Sequence, residues 1–109
     1  MLKVLLDDER TIKGMDIIFR KPSVFWMTYG HTSIFFSKNW ELWLDHDLGE
    51  GEENGFEFLK TLYEVGLLPN AIVLVSANPV GRKNMRTLLS DCGYGQIWTE
   101  EYDEKWVKV

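Results

Sequence analysis

One cysteine, Cys92, stands in 109 residues, so no disulfide can form within the chain. No apolar signal-type stretch follows Met1, and the expected setting is therefore the reducing cytoplasm. The longest apolar runs are a few residues, against the roughly 20 that a membrane helix needs, so no membrane partner is expected. Basic residues are also in short supply: 12 Lys and Arg face 17 Asp and Glu, a net charge of −5. That balance excludes a binder of duplex DNA, which needs a basic face. A small phosphorylated ligand is still compatible, because a divalent cation reverses the local sign of an acidic pocket. Internal repeats, linkers and low-complexity stretches are lacking too.

Hydrophobic residues make up 45% and charged residues 27%, the balance of a soluble globular protein. The length suits one domain spanning 1–109 with one buried core. Five Trp, four Tyr and six Phe are many for this size, and some of these rings are expected on a surface that meets a partner protein.

Leu2 to Leu6 is a short apolar run closed by Asp7-Asp8-Glu9, the pattern of a buried parallel strand that opens on a site. Thr11 to Ile18 fits a short helix or a loop, and Ser23 to Tyr29, rich in aromatic and β-branched residues, predicts a strand. His31 to Lys38, with Ile34, Phe35 and Phe36, fits a brief helix or a strand. Glu41 to Leu44 predicts a strand ending in Asp45-His46-Asp47. Gly55 to Val65 carries Phe56, Leu59, Leu62 and Tyr63 at helical spacing, with Gly66 placed as a stop. Ala71 to Val75 is the clearest buried strand and ends at Ser76-Ala77-Asn78-Pro79. Arg82 to Cys92 predicts a helix, Gln96 to Thr99 a short last strand, and an acidic tail follows from Glu100. Strands alternating with helices imply a doubly wound parallel sheet of five strands with helices on both faces, its region before the third strand shortened or rebuilt. Ligands of such sheets bind beyond the carboxyl ends of the strands.

Three strand ends carry polar groups: Asp7-Asp8-Glu9, Asp45-His46-Asp47 and Ser76-Ala77-Asn78. Carboxylates held side by side repel and raise one another's pKa, and a hard cation such as Mg²⁺ relieves that repulsion. The Ser76 hydroxyl would then bond a phosphoryl oxygen. The plainer reading makes these acids turn formers or helix caps, with Asp8 and Asp47 the nearest to such places. His46 would be a general acid or base, or merely packing. Gly81-Arg82-Lys83 at a helix start would hold an anion, or be ordinary solvated cations.

The segments Leu6 to Arg10, Leu44 to Gly49 and Ser76 to Gly81 read Leu-Asp-Asp-Glu-Arg, Leu-Asp-His-Asp-Leu-Gly and Ser-Ala-Asn-Pro-Val-Gly. In that order they resemble the motifs of the cyclic-phosphate-processing receiver-like domains, a branch of the response-regulator receiver superfamily with a flavodoxin-like fold. The resemblance implies Asp7, Asp8 and Asp45 as Mg²⁺ ligands, and Asp45, Asp47 and Ser76 as catalytic residues. It makes His46, Asn78 and Arg82 ligand-binding residues. A cyclic-phosphate nucleotide or an RNA-end phosphate would be the ligand, and a metal-dependent phosphoester hydrolase one form of the activity. Ordinary receivers carry a Lys after the fifth strand; here Thr99-Glu100-Glu101 stands there and the next Lys is Lys105. A non-catalytic protein-binding module or stand-alone regulator is the alternative, favoured if Trp98, Tyr102 and Trp106 lie exposed together.

Overall fold

The computed structural model describes residues 2–32, 39–97 and 104–109. Six strands and three helices follow in the order β1 (Leu2–Leu6), β2 (Ile17–Phe19), α1 (Pro22–Thr32), β3 (Trp40–Leu44), α2 (Gly55–Glu64), β4 (Ala71–Leu74), α3 (Pro79–Asp91), β5 (Tyr94–Ile97) and β6 (Lys105–Lys108). They build one sheet with strand order β2-β1-β3-β4-β6-β5. The first four neighbours pair in parallel, while β6 runs antiparallel to both β4 and β5.

The central strands form because their residues are apolar on both faces. Val4, Leu5 and Leu6, together with Leu42 and Leu44, are fully buried. Successive side chains of a strand point to opposite faces, and this divides the core in two. Val4, Leu6, Leu42, Leu44, Ile72 and Leu74 face the helices, where Phe25, Phe58, Leu62, Met85 and Leu89 cover them. Leu5, Trp43 and Val73 face the other way, under Ile12 and Met15 of the loop between β1 and β2. On that second face the buried Glu41 accepts from the Trp43 indole at 2.8 Å and pairs with Lys105 at 2.7 Å.

Helix starts and stops follow local chemistry. Asn54 and Glu57 form a reciprocal capping box at α2, with backbone-to-side-chain bonds of 2.8 and 2.9 Å. Gly66 takes a positive φ of +75° just past its end, as a stop requires. Asn78 caps α3 and Pro79 opens it.

Four expectations are corrected. The sheet has six strands rather than five, because Lys105-Trp106-Val107-Lys108, expected as part of a tail, alternates and puts Trp106 into the core. All three described helices pack on one face, so winding on both faces is not met among the described residues. Ser23 to Tyr29 is helical, not a strand. Pro22 suits the first helical position, and Phe25 is drawn into a ring cluster with Phe19, Trp26, Tyr29, Trp40 and Phe58 at centroid distances of 5.0 to 6.2 Å. Burial of that ring overrides the strand propensity of its neighbours. The stretch from Thr11 ends as a strand, since Ile17–Phe19 pairs with Val4–Leu6. The helix or strand expected over His31 to Lys38 lies outside the described residues beyond Thr32, as do Trp98 and Thr99 of the last predicted strand.

Candidate functional site

Register aligns the strand ends. Leu6, Leu44 and Leu74 stand in one row, so the residues that follow emerge together at one edge of the sheet. Backbone bonds from Asp45 N–H to Leu6 carbonyl and from Val75 N–H to Leu44 carbonyl, 3.1 and 3.0 Å, extend that alignment one step further. Asp7 and Asp45 are thereby neighbours, with Ser76 one residue beyond the row.

Asp7 is only 1% exposed. Its Oδ1 accepts the backbone N–H groups of Glu9 and Arg10, both at 2.9 Å, which closes the turn after β1. Its Oδ2 accepts from Arg10 Nη1 at 3.0 Å. Asp45 is buried, accepts the His46 N–H on Oδ1 at 2.8 Å, and lies 3.6 Å from Arg10 Nη1. Burial pushes the Asp45 carboxyl above its ordinary value, and the negative charge of Asp7 pushes it further. The His46 N–H, Arg10 and the Ser76 hydroxyl pull the other way without prevailing. Asp8 is exposed and completes the group: one oxygen each from Asp7, Asp8 and Asp45 lie within 4.8 Å of one another. Three carboxylate oxygens converging with one cation between them are a donor set that suits a hard divalent ion.

A second cluster adjoins it. His46 Nδ1 lies 3.0 Å from Asp47 Oδ1, and the Asn78 amide stands 3.4 Å from both side chains. The imidazole is held by backbone geometry, because a Cβ at Gly81 would meet its Cγ at 2.3 Å. Gly55 fits in the same way, with a Cβ there meeting the Asp45 carbonyl at 2.3 Å. The first turns of α2 and α3 therefore close directly on Asp45 and His46, and glycine is what permits the approach. Asn78 has a plain structural duty as well, since its Oδ1 accepts the Gly81 N–H at 3.0 Å as the α3 cap. Asp8 and Asp47 cap neither α2 nor α3, whose caps are Asn54 and Asn78. Asp47 has a 69% exposed side chain.

Arg82 is not gathered with these groups. It donates to the Ser76 carbonyl at 3.0 Å and to Glu104 at 2.9 Å. Glu104, 1% exposed, also accepts from Arg86 at 2.6 and 2.7 Å and from the Trp106 indole at 2.9 Å. Burial alone would raise the Glu104 carboxyl. The bonds from Arg86, Trp106 and Arg82 outweigh it and hold the group below its ordinary value. A cavity of about 410 Å³ opens beside this nest, lined by Arg82, Arg86, Gln96 and Glu104 with Ala77 and Pro79, none of them one of the three aspartates.

Sequence reasoning brought forward Asp7, Asp8, Asp45 and Ser76, which meet, and His46, Asp47 and Asn78, which form the adjoining cluster. It passed over Arg10 as a participant, although Arg10 stands inside a motif already singled out. Glu104 carried no local signal, because nothing in a short polar stretch announces two distant arginines. Lys105 is engaged with Glu41 on the second face of the sheet. Of the three rings expected to be exposed together, Trp106 is 8% exposed and Trp98 and Tyr102 lie outside the described residues. Of the other rings, Tyr63 is exposed, Trp26 is half-buried, and Trp40 and Trp43 are buried.

No curated protein and no solved structure matches the chain. A family model does: the cyclic-phosphate processing receiver domain matches residues 2–91, from β1 to the end of α3, including every aspartate of the site. With its strand ends, its aspartates and this match in agreement, the chain belongs to the cyclic-phosphate processing receiver domain family.

Proposed function

We propose that the chain is one receiver-like domain that binds, and in the presence of Mg²⁺ processes, a cyclic-phosphate nucleotide or RNA-end phosphate at the carboxyl ends of β1, β3 and β4. The observation that supports this most is the convergence of Asp7, Asp8 and Asp45 within 4.8 Å, in a chain whose family is named for cyclic-phosphate processing. Those three carboxylates would hold the ion, which when bound supplies charge neutralisation for phosphate oxygens. Ser76, hydrogen-bonded through its Oγ to the Asn78 N–H at 3.1 Å, would orient a phosphoryl oxygen. Asp45 would serve as a ligand of the ion or as a nucleophile. Opening the ring with water forms one P–O bond to the water oxygen and breaks one ester P–O bond. The proton released by the water ends on the freed hydroxyl. His46 or Asp47, whose side chains lie 3.0 Å apart, would help to move that proton. Asn78 reaches the same space through its amide. Arg82 borders it through the Ser76 carbonyl, and in this reading it meets the ligand from the side of the adjoining cavity.

The test is Mg²⁺ binding by calorimetry or tryptophan fluorescence for wild type, Asp8→Asn and Asp45→Asn, followed by cyclic nucleoside monophosphates as ligands and substrates. Millimolar or tighter Mg²⁺ binding, lost in both variants, together with ion-dependent ring opening or ligand binding, is the expected result. Binding indifferent to both substitutions would overturn it. The fold would then be better regarded as a non-catalytic protein-binding module, for which Asp45→Asn leaves partner binding intact.

A further inference from the structure

We propose that Arg10 is the exchangeable counter-ion of the aspartate pocket, displaced from Asp7 and Asp45 when a divalent cation binds and then turned toward the anionic ligand. This rests on the reading of the pocket as a metal site. Arg10 Nη1 lies 3.0 Å from Asp7 Oδ2 and 3.6 Å from Asp45 Oδ1. Oδ1 of Asp7 is already committed to two backbone N–H groups, so Oδ2 is the oxygen this carboxylate has left for a cation. The guanidinium and a metal ion therefore compete for one atom, since two cations on it would repel at contact distance.

The surroundings let the side chain leave without opening the loop. Asp7 holds the turn through backbone amides and needs no Arg10 side chain to do so. Arg20 clamps the same loop from outside, donating to the Asp7 carbonyl at 3.2 Å, to the Arg10 carbonyl, and to the Thr11 hydroxyl at 2.8 Å. The Arg10 side chain is 40% exposed, so a displaced guanidinium stays at the mouth of the pocket in reach of solvent ligands. A planar guanidinium suits phosphate oxygens, and one freed by the metal would bind them beside it. Metal and anion then strengthen each other's binding, and linkage makes the effect reciprocal.

The experiment titrates the full chain with Mg²⁺ by calorimetry, with and without inorganic phosphate, for wild type, Arg10→Gln and Arg10→Met. Without phosphate, both variants are expected to bind Mg²⁺ about fivefold more tightly, the upper range for a partly exposed ion pair. Phosphate is expected to tighten Mg²⁺ binding in wild type and to tighten it less in the variants, where the ion and Ser76 meet the phosphate without a guanidinium. Mg²⁺ affinity equal to or weaker than wild type in a folded variant overturns the proposal and leaves the metal site standing. No Mg²⁺ binding in any of the three proteins overturns the metal site and the proposal together.

Discussion

Two carboxylates at the same edge of the sheet, Asp45 and Glu104, are both nearly withdrawn from water and are shifted in opposite directions. Asp45 has Asp7 and Asp8 for neighbours and a single guanidinium 3.6 Å away, and its carboxyl is raised by burial and by Asp7. Glu104 is enclosed by Arg82, Arg86 and the Trp106 indole, and these bonds overcome its burial to hold it low. Because β6 runs antiparallel to β4, Glu104 enters the sheet next to Leu74, whose N–H donates to the Glu104 carbonyl at 3.2 Å. Equal burial therefore says little about a carboxylate's task. A buried acid with more donors than it needs stabilises the fold, whereas buried acids with too little positive charge around them strain it and favour an added cation.

The largest expected effect breaks the satisfied side of this contrast. Glu104→Gln removes the charge from two arginines and is expected to cost about 3 kcal/mol in urea unfolding. The acid dependence has a definite sign. A carboxyl held below its ordinary 4.5 contributes stability that is present above that value and is lost as pH falls through the folded-state value. Wild type should therefore lose stability on that acid limb, and Glu104→Gln should lose less of it. Gly81→Ala comes next, expected to cost about 2 kcal/mol because its Cβ meets the His46 ring and an overpacked contact must shift. Near-ultraviolet dichroism and the His46 ring resonances would follow that displacement, and an unchanged His46 signal would contradict the packing described.

The smallest effect sharpens the contrast on the acidic side. Asp45→Asn keeps an acceptor for the His46 N–H while removing one of the crowded charges, so its thermal midpoint is expected to rise, by up to about 1 kcal/mol in stability. For a carboxyl raised above 3.8, the stabilising contribution is present below that value and lost as pH rises through the folded-state value. The gain over wild type should accordingly appear above the folded-state value and vanish in acid. A loss of stability at neutral pH would mean that Asp45 is a satisfied group like Glu104.

Much of this was legible in the residues. The apolar runs at Leu2–Leu6 and Ala71–Leu74, the helix over Gly55–Glu64 and the acids that follow Leu6 and Leu44 each depend on local pattern, and each stands where it was expected. Within that helix Leu59 and Leu62 are buried as their spacing implied, while Tyr63 is exposed and Phe58 takes the buried place. The convergence of Asp7, Asp8 and Asp45 follows from parallel strands in register, which the order of the elements already implies. Phe25 shows where local pattern loses. Its neighbours favour a strand, and the pull of a ring cluster drawn from four separate segments makes the stretch a helix.

By itself the sequence determined the buried strands at Leu2–Leu6, Trp40–Leu44 and Ala71–Leu74 and the acids that close the first two, because an apolar run and the polar residues that end it are properties of neighbouring residues. Only the tertiary structure decided that β6 enters antiparallel between β4 and β5, that Glu104 takes two arginines, and that the Arg10 guanidinium faces Asp7 and Asp45. Those choices depend on charge balance and packing between groups far apart in the chain, and no short stretch of residues contains them.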